Sequence, residues 1–384
     1  MIIMDLKMDN FCSFKDFHIN FSYPKKVVNS YIENEYLPDR PNFRFKRINI
    51  LMGANAVGKT SLGMMMKAIF NLIARQNIDI ITQQIDNRAE QAGFSIDFIP
   101  DRMYRLYRVS AVFSPLSEMI GTTEGYKPGN IKVEVLSASI GKNDSYEMCI
   151  MKLKPDKHIP ESGSSMEKLA AVPFGGWLFT HPMDVGAKSG TLGNEIDDIV
   201  YLEVLRKILM SLDPSIKNVE KSAEVDNSFI IQYRNKDIFV QDGEVVKDNI
   251  LSSGTKAGID IAGILTAMIR HRNTLYYCDE KFSYIGSDVE KAVLSVMAEV
   301  LWQNEQLFFT SHNSDLLDMP FPKHAFSFLR KTDNGEEFRI ECVYASDFLK
   351  RNTDSMRNAV ENDLFSISPD LGQIYELQNL DKKE

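Results

Sequence analysis

The chain has 384 residues, of which 44% are hydrophobic and 25% charged, with a formal net charge of -9. That length supports one large α/β core carrying an insertion, or two domains, and the acidic balance excludes a uniformly basic nucleic-acid surface while leaving room for a local basic groove. No apolar run reaches the roughly 18 residues of a membrane span, and the four scattered cysteines, Cys12, Cys149, Cys278 and Cys342, form no CxxC pair, which argues against structural zinc and against a disulfide framework.

In chain order, residues 1–7 lack the basic start, apolar core and cleavage site of an export signal, so they read as a first strand and the cytoplasm is the expected compartment. Residues 1–22 alternate and cluster aromatics at Phe11, Phe14, Phe17 and Phe21, in the pattern of two short strands joined by a turn. Residues 23–46, punctuated by Pro24, Pro38 and Pro41, read as an irregular surface excursion. Residues 47–52 form the next strand.

Directly after that strand comes Gly53-Ala54-Asn55-Ala56-Val57-Gly58-Lys59-Thr60-Ser61, followed by apolar residues able to continue as a helix to about Gln76. Strand, glycine loop and helix together are the context of a phosphate-binding loop. Gly53, Asn55 and Gly58 belong to a loop whose backbone N–H groups turn toward phosphate oxygens, and the helix adds its positive end, with Ser61 in its first turn. Lys59 is placed to reach the β and γ phosphates, and Thr60 to put its hydroxyl on Mg²⁺. The expected ligand is a nucleoside triphosphate.

Residues 102–112, 130–138 and 146–153 read as short strands of an antiparallel layer, and 154–194 as glycine-rich loops around Trp177-Leu178-Phe179. From Glu195, Ile196, Ile199, Leu202, Leu205, Leu209 and Leu212 recur at helical spacing until Asp213-Pro214 stops the run. Residues 229–233 and 237–240 form a hairpin. Alternation of helix and strand then returns: helix over 256–270, strand over 274–278, helix over 288–302 and strand over 306–310, with 326–329 and 338–344 continuing the sheet and a polar tail from 376.

Three distal elements bear on chemistry. Thr274-Leu275-Tyr276-Tyr277-Cys278-Asp279-Glu280 is an apolar strand ending in two acids: Asp279 is placed to hold Mg²⁺ and Glu280 to polarise the water that attacks the γ-phosphate. The strand over 306–310 delivers His312, which can hydrogen-bond the γ-phosphate or orient that water. Ser252, Ser253 and Gly254 open the helix near Lys256 and offer a hydroxyl, exposed backbone and a helix N-terminus, which serve either an ordinary cap or a phosphate contact.

These elements in this order resemble the ATP-binding-cassette superfamily, in the soluble branch of chromosome-maintenance, recombination and overcoming-lysogenization-defect ATPases. The resemblance spans residues 1–22, 47–75 and 249–319: Gly53 to Ser61 is similar to the Walker A loop, Leu251 to Thr255 to the signature loop, Asp279-Glu280 to Walker B, His312 to the switch histidine and Ser283-Tyr284-Ile285 to the D-loop. It implies a single P-loop NTPase head, α/β in class, with 1–75 and 249–350 as nucleotide-binding core and 77–248 as an antiparallel β layer and inserted helical subdomain. It also implies Mg²⁺-dependent ATP hydrolysis in a head-to-tail dimer, or a higher even-numbered oligomer, in which Ser252 and Gly254 of one subunit meet the γ-phosphate held by the other. A switch glutamine is expected between the Walker A helix and residue 250, and neither Gln76 nor Gln91 fills that place convincingly.

Residues 61–251 lack the heptads of a long arm, and 310–318 resemble compact ATPases of bacterial phage-defence and abortive-infection systems, which regulate a separate nuclease or toxin. That is the expected role. The alternatives are a DNA-repair or DNA-maintenance ATPase that holds nucleic acid, and a nucleotide-gated scaffold with negligible turnover.

Overall fold

The computed structural model describes residues 1–25, 30–116, 125–160, 162–181, 199–226, 228–241, 244–245, 252–333, 335, 337–351, 353–368 and 371–377. The chain opens with β1 (Ile2–Asp9) and β2 (Phe17–Asn20), antiparallel as the aromatic clustering predicts, with Phe11, Phe14 and Phe17 buried at their connection. The excursion over 23–46 is less superficial than its prolines suggest. β3 (Tyr36–Leu37) and β4 (Arg40–Arg44) make a two-stranded ribbon, and Leu37, Phe43 and Phe45 enter a small core with Ile2 and Met4.

β5 (Ile48–Met52), buried at every residue as a central parallel strand must be, runs through the glycine loop into α1 (Lys59–Arg75). β6 (Ala92–Ile99), β7 (Arg105–Phe113), β8 (Ile131–Ser139) and β9 (Lys154–Pro155) then extend the first hairpin into a six-stranded antiparallel sheet, ordered β2-β1-β6-β7-β8-β9. The strand expected over 146–153 is a short helix instead, Tyr146–Ile150. Ser145 Oγ accepts from the Met148 N–H and caps it, a local bond that outweighs the β propensity of the segment.

A second departure bears on function. Within 154–194, read as loops, β10 (Trp177–Thr180) is the edge strand of the second sheet. α2 (Ile199–Leu212) and the antiparallel strands β11 (Asn218–Lys221), β12 (Ser228–Gln232), β13 (Asp237–Gln241) and β14 (Glu244–Val245) follow, so the insertion is helix and sheet together. The first residues of the amphipathic run, including Ile196, lie outside the described residues.

α3 (Ser253–Ile269), β15 (Leu275–Asp279), α4 (Ser287–Val300), β16 (Gln306–Thr310), β17 (Phe326–Asp333) and β18 (Phe338–Tyr344) complete the second sheet, ordered β10-β15-β16-β5-β17-β18 and parallel except for the last pair. The division into 1–75 plus 249–350 and 77–248 is therefore crossed by both sheets: β1 and β2 pair into the antiparallel layer, and β10 belongs to the parallel one.

α1 lies in the core shared by the two sheets, where Leu62, Met66, Ile69 and Phe70 pack with Leu6, Ile96 and Val109 and with Tyr277 and Phe308. On the other face Ile261, Leu265, Leu294 and Met297 of α3 and α4 pack with Tyr276 and Phe309. Each such side chain contributes roughly 1.5–3 kcal/mol when fully buried. No helix among the described residues is long and apolar enough to cross a membrane, and all four cysteines are free thiols.

Candidate functional site

Adjacent parallel strands end at one edge of a sheet, where side chains just past their C-termini converge. Here the neighbours β10, β15, β16 and β5 deliver, in that order, His181, Asp279 with Glu280, Thr310 with His312, and the Gly53–Thr60 loop.

Gly58 precedes α1 with φ +94°, a left-handed conformation that glycine adopts without steric cost. Lys59, 3% exposed, donates from Nζ to the carbonyls of Gly53 (3.0 Å) and Ala54 (2.9 Å), and its ammonium lies 3.5 Å from Glu280 Oε1. Burial pulls the Lys59 pKa below the usual lysine value, and Glu280 opposes that fall. The helix is locked to β15 by Tyr277, whose hydroxyl donates to Lys59 O at 3.1 Å and whose ring leaves no room for a side chain at Gly63. Asn55 is exposed on the loop, while Thr60 and Ser61 are partly exposed in the first turn.

Asp279 is fully buried, and its Oδ1 accepts from Thr310 Oγ1 at 2.7 Å. The same hydroxyl accepts from the Glu280 N–H at 2.9 Å, so one threonine fixes both acids. Glu280 sits at φ +44°, a backbone strain of order 1–3 kcal/mol that turns its carboxylate toward His312, whose Nε2 is 2.7 Å from Oε1. Behind His312, buried Glu290 accepts from Ser311 Oγ and from Asn313 Nδ2, each at 2.7 Å, and so clamps the residues on either side of the histidine. Burial raises the Glu290 pKa against those two donors. Thr310 and Glu290 act through other residues, and only strand adjacency reveals them.

His181 also went unnoticed in the sequence. Its ring lies with Nδ1 4.0 Å from Asp279 Oδ2, and both atoms are buried with no hydrogen-bond partner among the described residues. The signal was there: Trp177-Leu178-Phe179-Thr180-His181 repeats the apolar-run-to-histidine form of residues 306–312, hidden by the surrounding glycines. An orphaned buried carboxylate oxygen fits a cation. The unpartnered Asp279 Oδ2 therefore fits a divalent cation, and no group of three or more His, Cys, Asp and Glu side chains able to hold a metal by themselves occurs among the described residues.

Ser252, Ser253 and Gly254 are not brought to this cluster. Ser252 and Ser253 are exposed, Ser252 Oγ caps α3 by accepting from the Thr255 N–H at 3.0 Å, and no hydrogen bond or ion pair among the described residues joins 252–254 to 53–61 or to 279–280. Their neighbour is the half-exposed Tyr284, whose carbonyl approaches Gly254. Leu251 lies outside the described residues. Phe14 is fully buried against Gly58 and Phe17, so it presents no free face to a base. Gln76 closes α1 with its Nε2 on Ile73 O, and Gln91 precedes β6 in the other sheet, so neither reaches the strand-end cluster. Among the carboxyl-terminal acids, Glu337 pairs with Lys15 and Arg339, and Glu341 with Arg330.

No protein-family model and no curated protein sequence matches this chain. Solved structures do. An Smc head bound to the C-winged helix domain of ScpA matches with TM-score 0.50 and 13% identity, over 91% of this chain and 100% of that one. An Smc head with an extended coiled coil bound to the C-terminal domain of ScpA, derived from Pyrococcus furiosus, gives 0.48 and 11% over 91% and 98%. The recombination mediator protein RecF gives 0.43 and 9% over 89% and 98%. At such identities the likeness is one of fold alone: the chain shares the fold of an Smc head domain.

Proposed function

We propose that the chain binds ATP with Mg²⁺ at the strand-end cluster, hydrolyses it to ADP and phosphate in a head-to-tail dimer, and uses the change in closure to control a partner. The observation that carries the reading is that Glu280 Oε1 is shared by Lys59 and His312 at the end of a Gly53–Thr60 cradle. Lys59 exchanges the Gly53 and Ala54 carbonyls for phosphate oxygens, Glu280 then holds the attacking water, and His312 fixes the carboxylate and donates toward the γ-phosphate. Bound Mg²⁺ supplies charge neutralisation of the phosphates, held by Thr60 and Asp279. Exposed Ser252 and Ser253 and the partly exposed Gly254, which no hydrogen bond among the described residues joins to their own chain's cluster, are offered to a second copy, where the α3 N-terminus meets the γ-phosphate.

Titration calorimetry of Lys59→Ala with Mg²⁺ and ATP tests the binding step. A loss of roughly 10- to 100-fold in affinity is expected, the range of a charge-assisted hydrogen bond, and unchanged affinity overturns it.

The partner we propose is a nuclease or toxin in a cytoplasmic antiviral system. Supporting this are the resemblance around His312 and an insertion whose longest described helix, α2, is a short packed element where an arm would be needed. A DNA-maintenance role is favoured instead by the likeness to the Smc head. Purification from the native host with and without ATP, together with phage and DNA-damage challenge of deleted cells, separates them. A copurifying nuclease or toxin and altered phage sensitivity support defence, whereas damage sensitivity alone supports maintenance.

A further inference from the structure

Two histidines stand at the ends of parallel strands on either side of the acidic pair, and they relate to their carboxylates differently. His312 touches Glu280 at 2.7 Å, a direct contact. His181 Nδ1 is held 4.0 Å from Asp279 Oδ2, beyond any hydrogen bond. The register explains the placement: Thr180 pairs with Cys278, so the next residue of each strand, His181 and Asp279, lie side by side. Thr180 Oγ1 also donates to Tyr277 O at 3.2 Å and fixes the end of β10.

Leaving a buried polar atom unpaired costs about 1–3 kcal/mol, yet both facing atoms are buried and without a partner among the described residues. A carboxylate oxygen only accepts, and an imidazole nitrogen bearing its lone pair only accepts. With the ring proton on Nε2, Nδ1 and the carboxylate oxygen are two acceptors facing one gap, and a cation or its bound water satisfies both together. The gap adjoins Asp279, the acid assigned to the cation, and resting on that assignment we propose that His181 Nδ1 is a nitrogen donor to the divalent cation that accompanies the triphosphate. Imidazole favours first-row transition ions, whereas carboxylate, hydroxyl and phosphate oxygens favour Mg²⁺. A shell combining His181 with Asp279 and Thr60 therefore raises the preference for Mn²⁺ over Mg²⁺ above that of an all-oxygen site.

The test uses the full chain with Mn²⁺ and a non-hydrolysable ATP analogue, read by electron spin-echo modulation. Nitrogen coupling to Mn²⁺ is expected in the wild type, lost in His181→Gln and retained in His312→Gln. The ratio of Mn²⁺ to Mg²⁺ affinity in the ternary complex is expected to fall roughly tenfold in His181→Gln, the lower end of what a metal-site substitution costs. His181→Asn serves if the glutamine variant melts early. Nucleotide-dependent Mn²⁺ binding without nitrogen coupling, or coupling that survives in His181→Gln, overturns the proposal and leaves the gap to water. Mn²⁺ binding that ignores the nucleotide removes the underlying nucleotide assignment, and the proposal falls with it.

Discussion

His312 Nε2 and Glu280 Oε1 lie 2.7 Å apart across the ends of β15 and β16, and Lys59 Nζ reaches the same oxygen at 3.5 Å. One carboxylate oxygen is thus oriented from two sides. Its direction is set by the positive φ of Glu280 and by the Thr310 hydroxyl beneath it.

Glu280→Gln keeps the shape of this contact and removes the proposed base. Turnover is expected to fall by roughly 10²- to 10⁴-fold, the usual contribution of a positioned acid or base, with ATP still bound and the dimer closed for longer. His312→Gln is expected to cost less, on the order of 10- to 100-fold, because it removes one charge-assisted hydrogen bond. Phosphate release and retained nucleotide, measured on the same samples, check both. A Glu280→Gln protein that binds but turns over like the wild type assigns the base elsewhere.

The packing of α1 on β15 gives a second prediction. A Cβ at Gly63 would sit 2.6 Å from Tyr277 Cε1, so Gly63→Ala forces the ring or the helix to move. Overpacking of this kind costs typically 1–3 kcal/mol. The movement also pulls on the Tyr277 bond to Lys59 O, so weaker ATP binding should accompany a lower melting temperature. Adding Tyr277→Ala should recover part of the loss that Gly63→Ala causes in the Tyr277 background, as coupled neighbours do in a double-mutant cycle.

Much of this site was legible in the sequence for reasons that can be named. The buried run of β5, the glycines and the apolar face of α1 are local, and their order alone places Lys59 and Thr60. Asp279, Glu280 and His312 were legible as ends of apolar strands. Thr310 was not, because its role is a hydroxyl shared between strands whose adjacency only the fold supplies. His181 was missed because β10 has four residues and sits among glycines, too short for periodicity to separate strand from loop. The capped helix Tyr146–Ile150 was misread for a different reason: a single serine hydroxyl decided it.

Lys46 yields a prediction about pH. The residue is 3% exposed, its ammonium donates to Asn20 O at 3.1 Å and lies 3.9 Å from the Tyr344 ring centre, and burial lowers its pKa from 10.5 to about 8. Between about pH 8 and 10.5 the unfolded chain therefore binds more protons than the folded one, so stability rises with pH across that window. Below it the buried charge costs about 3 kcal/mol by this shift, with 1.36 kcal/mol per unit. Lys46→Met keeps the methylenes and removes the charge. Denaturant melts should show the variant gaining on the wild type at pH 7, with the difference shrinking toward pH 10. A difference independent of pH would mean that Lys46 does not titrate there.

Shared sites make the sharpest test of the dimer. Ser252→Arg puts bulk and charge on the exposed α3 N-terminus, whereas Glu280→Gln disables the strand-end cluster, so each variant alone should be inactive. In a mixed dimer, the intact Glu280 of the Ser252→Arg chain faces the intact Ser252 of the other, which leaves one site free of both lesions. Random pairing of equal amounts makes half the dimers mixed, each with one good site of two. Activity should then recover to roughly a quarter of the wild type, as expected for a closed two-fold assembly with composite sites. Loss of the Ser252 cap costs only about 1 kcal/mol, so a melting curve is sufficient to exclude simple unfolding. Mixed dimers shown to form but unable to hydrolyse ATP would place the whole reaction within a single chain.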